Sequence, residues 1–366
     1  LMVGISLFAS LVSTISYLAW PGEMIKFGPM MFAGVLAYPL VGVVVGWLIV
    51  PFIMRLKVTS AYEILELRLG SAVRTLGSLL FLSLRLLWMS VIVYAATTKV
   101  LVPLLGLDPS ATPLVCAILA FVTIIYTSMG GLRAVVMTDV IQCGILLSAA
   151  IVTIIIITVC LGGVQAWWPS HWPIHWPEPQ YGYDPSARVT MFGIMLATFT
   201  WYVCTTTSDQ ICVQRYLSTK DAKAARAVLF ISLAADTLVT MILAAVGLGL
   251  LAYFRAFPHL LPDTQTLLTD SDKLFPQFII IGLPVGLSGL VVAGLLACSM
   301  SALSAGINST CSVISVDIVD RLRGKNKTAE SNRVRQLKCI SVFVGVIVVS
   351  LSLFVNMVQG NLVEVA

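Results

Sequence analysis

Charged side chains are scarce in this chain. Lysine, arginine, aspartate and glutamate supply 11% of its 366 residues, whereas 58% are hydrophobic and the mean hydropathy is +0.98. A soluble globular domain is roughly 25% charged and roughly 45–50% apolar. An apolar excess of this size cannot be buried in a water-soluble core. The composition therefore excludes an ordinary soluble domain and predicts an all-α integral protein of the lipid bilayer.

The patterns of metal and enzyme sites are also missing from the sequence. Its three histidines, His171, His175 and His259, lie in polar connections, and none of its eight cysteines forms a CxxC pair. It contains no recognisable nucleophile–base pair, Walker loop or haem-ligand pattern. We therefore expect no catalytic activity and no cofactor.

The sequence does contain a series of apolar segments long enough to cross a bilayer, which takes about 20 helical residues. The chain opens inside the first of them, and residues Gly360 to Ala366 read as the start of a further element. We therefore expect a fragment of a longer protein. Nine segments are found, at 2–19, 29–53, 73–101, 112–129, 135–161, 189–212, 226–254, 282–317 and 337–358.

Basic residues orient these segments. With the start of the first segment in the cytoplasm, the inner connections carry 16 Lys and Arg residues, Arg74 and Arg215 among them, and the outer ones carry five. Cytoplasmic loops of membrane proteins are enriched in these residues. The net charge of +5 is therefore a topology signal and not a nucleic-acid surface. A multi-pass protein of the plasma membrane, or of the inner membrane in a bacterium, is predicted.

One outer connection, at residues 162–188, combines tryptophan with proline. Proline prevents a continuous helix there, and tryptophan favours the boundary between water and lipid. We expect a structured cap on the extracellular face, with stacking of a carbohydrate on the indole rings as the alternative. The tryptophans are Trp167, Trp168, Trp172 and Trp176.

Two ionisable residues fall within apolar segments, where a charge costs about 2.5–3.5 kcal/mol or more on insertion scales. Asp139 lies about two helical turns beyond Arg133, and Arg85 lies near the middle of the third segment. Asp139 reads either as a cation-binding carboxylate or as a carboxylate with a purely structural partner. Arg85 should face the bundle interior, where it pairs with a carboxylate such as Asp139 or presents its planar fork to an anionic solute.

The eighth segment carries a polar stripe. Ser301, Ser304 and Asn308 are three and four residues apart, so they share one face of a helix. The small residues between them also permit close helix packing, which is the alternative explanation. Hydroxyl and carbonyl oxygens beside a carboxylate are the ligands that a hard alkali cation requires.

These residues resemble the sodium/solute symporter family, which includes sodium-coupled transporters of sugars, proline, iodide, monocarboxylates and sialic acid. The most specific part is Tyr126 to Gln142, which is similar to the family's tyrosine–glycine–glycine–alanine–valine–threonine–aspartate–glutamine stretch. Asp209 to Tyr216, the serine helix with Asn308-Ser309-Thr310, and the opening Ser6 to Ser10 also match.

The resemblance implies a LeuT-like fold of two inverted five-helix repeats, with the first and sixth core helices broken around a midplane site. The first repeat would span 1–161, the extracellular connection 162–188, and the truncated second repeat 189–366. The nine segments would be core helices one to nine. A helix before Leu1 and the tenth core helix after Ala366 would be missing.

By position, the resemblance also implies a sodium site between core helices one and eight. The family usually offers a second hydroxyl at the position after Ser301, and this chain has Ala302 there, so that hydroxyl is absent. A neighbouring sodium site in some members uses the aspartate of core helix five with the serine stripe. The implied sodium ligands are the carbonyls of Ala9, Val12 and Cys298, the hydroxyls of Ser301 and Ser304, and the carboxylate of Asp139.

For the solute, the resemblance points to the breaks of core helices one and six and the facing part of helix three. Sugar-transporting relatives carry a carboxylate in helix two, where this chain has Val35. That difference weakens the case for a sugar as the substrate, and Arg85 favours a small organic acid. The implied solute residues are Ser13, Ser16, Tyr17, Arg85, Met89, Trp201, Tyr202 and Thr205.

The resulting hypothesis is sodium-driven symport of a small solute by alternating access. A transporter-like sensor domain fused to a signalling module beyond Ala366 is an alternative of a different class. Proton coupling through Asp139 is another, because a hydroxyl is missing at Ala302. A channel is disfavoured, since the polar residues cluster at the midplane instead of lining a continuous path.

Overall fold

The computed structural model describes residues 1–56, 58, 60–261, 266–284, 286–323 and 330–355, and within them every regular element is a helix. Nothing is described of residues 356–366, so the predicted end of the second repeat lies outside the described residues. The main helices are α1 (Met2–Leu11), α2 (Thr14–Phe27), α3 (Pro29–Arg55), α4 (Glu63–Leu69), α5 (Ser71–Ala96), α6 (Thr112–Leu161), α7 (Met191–Ser208), α8 (Gln210–Leu217), α9 (Ala222–Ala256), α10 (Ser271–Ile281), α11 (Leu287–Val313) and α12 (Glu330–Ser352).

Several of these helices are long and apolar enough to cross a membrane. In the described residues seven spans meet that requirement, and an eighth arises if α1 and α2 are counted as one bent span. Two of them, Pro109–Thr127 and Val135–Leu161, lie largely within α6. The predicted segment 189–212 is not among the spans, and its helical path is broken at Asp209 between α7 and α8.

The first break separates α1 from α2 by an angle of 69°. Val12 and Ser13 have extended backbone dihedrals there. The Ser13 side chain caps α2 by accepting a hydrogen bond from the Ser16 amide at 3.5 Å. Because an extended pair interrupts the helical hydrogen-bond ladder, carbonyl oxygens near the end of α1 are free to accept bonds from other helices.

The second break, at Asp209, is shorter. Asp209 is extended, and its carboxylate accepts a hydrogen bond from the Ile211 amide at 2.8 Å, as an N-cap residue does. The Thr205 carbonyl accepts a hydrogen bond from the Asp209 amide at 3.1 Å, and α7 ends there. The single extended residue leaves α7 and α8 as separate helices, and most residues of α8 are buried.

Helix α11 is the most enclosed span, since 72% of its most apolar window is buried. It packs against both spans of α6, against α5 and α12, and against the end of α1 that adjoins the break. Gly306 permits the contact with α5, because a β-carbon there would lie 2.5 Å from the Met89 sulfur. The small residues of the eighth segment therefore serve close packing as well as polarity.

The outer connection is fixed to the helices by its tryptophans. Trp176 is buried and donates to the carbonyl of Ile25 at 3.1 Å, and Trp167 donates to the hydroxyl of Thr158 at 2.9 Å. Trp168 and Trp172 stay exposed beside a cleft of about 310 Å³. The segment thus has the contacts of a structured cap.

Two arginines that the topology count assigns to cytoplasmic connections are buried. Arg74 pairs with Asp317 at the end of the α11 span, and Arg215 lies beside Asp139. Each is ordered by a buried carboxylate on a distant segment. The charge count of the inner connections therefore includes two arginines whose charges are neutralised inside the protein.

Candidate functional site

Carbonyl oxygens at the break of α1 face the serine helix α11. The Ala9 carbonyl accepts a hydrogen bond from the Ser301 hydroxyl at 3.4 Å. The Val12 carbonyl accepts one from the Cys298 thiol at 3.5 Å. The break therefore directs main-chain oxygens of one helix toward side chains of another, 286 to 292 residues away in the chain.

Asp139 brings a carboxylate to the same place from α6. Its side chain is fully buried, and its Oδ1 accepts a hydrogen bond from Ser301. Its Oδ2 accepts a bond from Ser6 of α1 at 2.5 Å. Ser301 thus lies between the Ala9 carbonyl and the Asp139 carboxylate.

Ser304 completes this group one turn further along α11. It is fully buried and donates to the Ser301 carbonyl at 3.0 Å. The structure therefore brings together, at the meeting point of α1, α6 and α11, the residues that the sequence nominates for sodium. They are Ala9, Val12, Asp139, Cys298, Ser301 and Ser304.

Ala302 belongs to a different environment. It is buried in an apolar cluster with Ile15, Ile92 and Ala95. No side-chain oxygen is supplied from this position of α11, so the hydroxyls that this stretch of the helix brings to the group are those of Ser301 and Ser304.

Sequence reasoning missed the basic member of the site. Arg215 of α8 has a side chain only 1% exposed, and its Nη2 lies 3.4 Å from Asp139 Oδ2. Its Nε donates to Ser6 at 3.2 Å, and its Nη2 also donates to Ser10. The spacing of Ser6 and Ser10, four residues apart on α1, is a signal of a shared polar face that could have identified these two serines.

A second polar contact lies just beyond the break. Thr14, the first residue of α2, donates to the Leu295 carbonyl of α11 at 2.7 Å and hydrogen-bonds the Ser299 hydroxyl. Both side chains are buried. Helix α2 is thereby attached to α11, as α1 is through Ser301.

Arg85 lies on α5 and pairs with Asp209, not with Asp139 as one sequence-based alternative proposed. Its side chain is 11% exposed and its guanidinium carbon is 5.6 Å from the Phe81 ring centroid. Its buried Nε has no hydrogen-bond partner among the described residues. The arginine is therefore fixed at the α7–α8 break with donor capacity left over.

The other residues nominated for the solute fall in separate places. Tyr17 is buried in the first turn of α2 and donates to the Leu146 carbonyl at 2.9 Å, while Met89 packs on Gly306. Tyr202 donates to Asp236 of α9 at 2.8 Å, and Trp201 beside it is half exposed. Ser13, Ser16 and Thr205 lie at the two helix breaks.

Comparison with known proteins agrees with this architecture. A sequence model of the sodium:solute symporter family matches residues 1–366. A sodium/sialic acid symporter from Proteus mirabilis is 29% identical over 351 residues, which cover 94% of this chain and 68% of that protein. Human sodium-coupled monocarboxylate transporter 1 is 31% identical over 329 residues, but this chain spans only 51% of its length.

A solved structure is similar over almost the whole chain. It is the substrate-bound outward-open state of a Na⁺-coupled sialic acid symporter, with a TM-score of 0.83 and 26% sequence identity. The match covers 98% of this chain and 74% of that one. The helical architecture is therefore that of a sodium-coupled symporter.

Proposed function

Because this chain belongs to the sodium:solute symporter family and is a sodium-driven multi-pass membrane transporter, we propose that its solute is a small organic acid. Two relatives are named for sialic acid and for monocarboxylates, which are both acids. Those names describe the relatives, and the argument for this chain starts from Arg85.

The observation that carries the proposal is the unused donor of Arg85. One terminal nitrogen is engaged by Asp209, while the buried Nε has no partner among the described residues. An unpaired buried donor is costly, and a carboxylate is the anion that an arginine fork binds with two parallel hydrogen bonds. A solute carboxylate at Arg85 would satisfy the remaining donors at the break between α7 and α8.

Sodium, in this proposal, binds where α1, α6 and α11 meet. Support comes from the oxygens already converging there: the carbonyls of Ala9 and Val12, the hydroxyls of Ser301 and Ser304, and the carboxylate of Asp139. A hard cation prefers oxygen ligands, and a buried carboxylate supplies the charge that replaces part of its hydration. Cys298 would contribute its carbonyl.

Transport would follow by alternating access. Two inverted repeats, residues 1–161 and 189–366, would rock around the fixed centre, with the two helix breaks on either side of the solute. Sodium would tie α1 to α11 before the solute binds. One charge crossing about 100 mV contributes about 2.3 kcal/mol, which alone supports roughly 40-fold accumulation.

The test is uptake into proteoliposomes with an inward sodium gradient. The probes are sialic acid, lactate as a short monocarboxylate, and glucose as a neutral control. Uptake of an acid that requires sodium is expected, and Arg85→Ala should reduce its kcat/KM by about 100-fold, mainly through KM. Arg85→Lys should retain part of it.

Asp209→Asn is the matched control. Asparagine keeps the size of the side chain and its capacity to cap α8, but it removes the ion pair with Arg85. If Arg85 binds the solute, this variant keeps most of the uptake. Equal losses of kcat/KM for uptake in Arg85→Ala and Asp209→Asn would refute the organic-acid proposal. Sodium-driven uptake of glucose alone would also refute it.

The proton-coupled alternative rests on Ala302, which supplies no hydroxyl. The same vesicles separate it from sodium coupling, since a pH gradient replaces the sodium gradient in choline buffer. Uptake under that condition, undiminished by the absence of sodium, would favour proton coupling.

A further inference from the structure

Arg215 is the one basic side chain, among the described residues, within 4.0 Å of the Asp139 carboxylate. It is on α8, 76 residues from Asp139, and both side chains are closed to solvent. A buried carboxylate requires a compensating charge, and in this structure Arg215 provides it.

The guanidinium is held by more than its ion pair. Nη1 donates to the Ile211 carbonyl of its own helix at 3.1 Å, and Nε donates to Ser6 at 3.2 Å. Nη2 is shared between Ser10 and Asp139. Arg215 therefore attaches α8 to α1 through two serines and to α6 through Asp139.

The direct contact between the charges is long. At 3.4 Å the distance between Nη2 and Oδ2 exceeds the roughly 2.7–2.9 Å of a strong charge-assisted hydrogen bond. The shorter contact to this oxygen is that of Ser6, at 2.5 Å. Arg215 thus neutralises Asp139 without binding it tightly, as an exchangeable cation would.

The two carboxylate oxygens face different groups. Oδ2 accepts from Ser6 and Arg215, whereas Oδ1 faces Ser301, which is also within reach of the Ala9 carbonyl. A sodium ion among Ser301, Ala9 and Oδ1 would approach the carboxylate from the side opposite Arg215. The single negative charge would then be shared by two cations.

We propose that Arg215 is a tethered competing cation that sets the sodium affinity of the Asp139 site. This inference rests on the proposed sodium site. When sodium binds, it shares the negative charge of Asp139 that attracts Arg215, so the attachment of α8 to α6 weakens. In the opposite direction, the contact between Arg215 and Asp139 weakens sodium binding. The position of the inner half of the second broken helix is thereby linked to cation occupancy.

The experiment is sodium titration of thermal unfolding in the purified full chain, with choline chloride keeping the ionic strength constant. Removal of the guanidinium in Arg215→Gln leaves Asp139 without its compensating charge, which sodium then supplies. The variant should be less stable than wild type without sodium, and its half-saturating sodium concentration should be about tenfold lower, or about 1.4 kcal/mol tighter.

Two further variants make the result specific. Arg74→Gln also removes the arginine of a buried ion pair, with Asp317, but its ion-pair partners do not contact Asp139, and it should keep the wild-type half-saturation. Arg215→Lys retains a charge but loses the fork that bonds Ser6 and Ser10, so it should lie between wild type and Arg215→Gln. If Arg215→Gln does not fold, Arg215→Lys alone must bind sodium more tightly than wild type.

The outcomes are separable. A wild-type protein without any sodium response would contradict the proposed function itself. A wild-type response combined with an unchanged or higher half-saturation in the Arg215 variants would overturn the competing-cation inference and leave sodium binding intact.

Discussion

The hydroxyl of Ser301 on α11 donates a hydrogen bond to Oδ1 of Asp139 on α6, 162 residues earlier in the chain. The same hydroxyl lies 3.4 Å from the Ala9 carbonyl at the end of α1. Three helices that are distant in sequence therefore meet at one side chain. A cation in this place would sense the relative positions of all three.

Ser301→Ala is expected to abolish most of the sodium dependence of uptake. It removes a side-chain oxygen of α11 that contacts both α1 and α6, and the half-saturating sodium concentration should rise at least about tenfold. Measurement of initial uptake rates against sodium concentration checks this.

Ser309→Ala is a control for that prediction. Ser309 is a buried serine of the same helix whose hydroxyl donates to the Gly306 carbonyl at 3.0 Å and has no other hydrogen-bond partner in the described part of the chain. It should leave the sodium curve unchanged. If both variants behave alike, the effect belongs to the helix and not to a cation ligand.

Ala302→Ser tests the missing hydroxyl directly. The family's usual second hydroxyl would be restored beside Ser301, and half-saturating sodium should fall about three- to tenfold if the serine oxygen reaches the ion. Ala95→Ser adds a hydroxyl on α5 to the same apolar cluster and serves as the comparison. An identical sodium response in Ala302→Ser and wild type would show that this position does not face the ion.

Gly306→Ala is expected to destabilise the protein through the contact between α11 and α5. The new β-carbon would lie 2.5 Å from the Met89 sulfur, and overpacking of this kind costs about 1–3 kcal/mol. A lower unfolding temperature in detergent should result. Gly289→Ala, on the same helix with no atom within 4 Å, should be neutral or stabilising.

Tyr202→Phe and Tyr38→Phe distinguish a solute contact from a structural one. Both hydroxyls donate to the Asp236 carboxylate, which has no basic partner among the described ion pairs. Each variant should lose about 1–3 kcal/mol of stability by removing one donor from a half-buried charge. Equal effects on stability and none on KM would assign Tyr202 to the structure, whereas a KM increase only in Tyr202→Phe would support its role at the solute.

Much of the fold follows from local properties of the sequence. The scarcity of charge and the length of the apolar runs identify a multi-span membrane protein, because both depend only on neighbouring residues. The serine stripe of the eighth segment and Asp139 are recognisable for the same reason, because they are polar residues within apolar segments. These predictions needed no knowledge of which helices touch.

The identity of the partners did not follow in this way. The sequence suggested Asp139 as a partner for Arg85, whereas the structure pairs Arg85 with Asp209 and Asp139 with Arg215. The sequence places Arg215 in a cytoplasmic connection, because the positive-inside rule counts charges and does not show which of them are neutralised. Hydropathy measures the cost of burying a charge but contains no information about what offsets it.

Composition and local pattern are sufficient to identify a membrane protein with polar groups inside apolar segments, and the motifs resemble one transporter family. The contacts of Ser6, Ser10 and Arg215 with Asp139 are visible only in the folded chain, because they depend on the angle at which α1 breaks and on how α8 lies against it. Backbone breaks of one or two residues set those angles, and long-range packing, rather than local propensity, stabilises them.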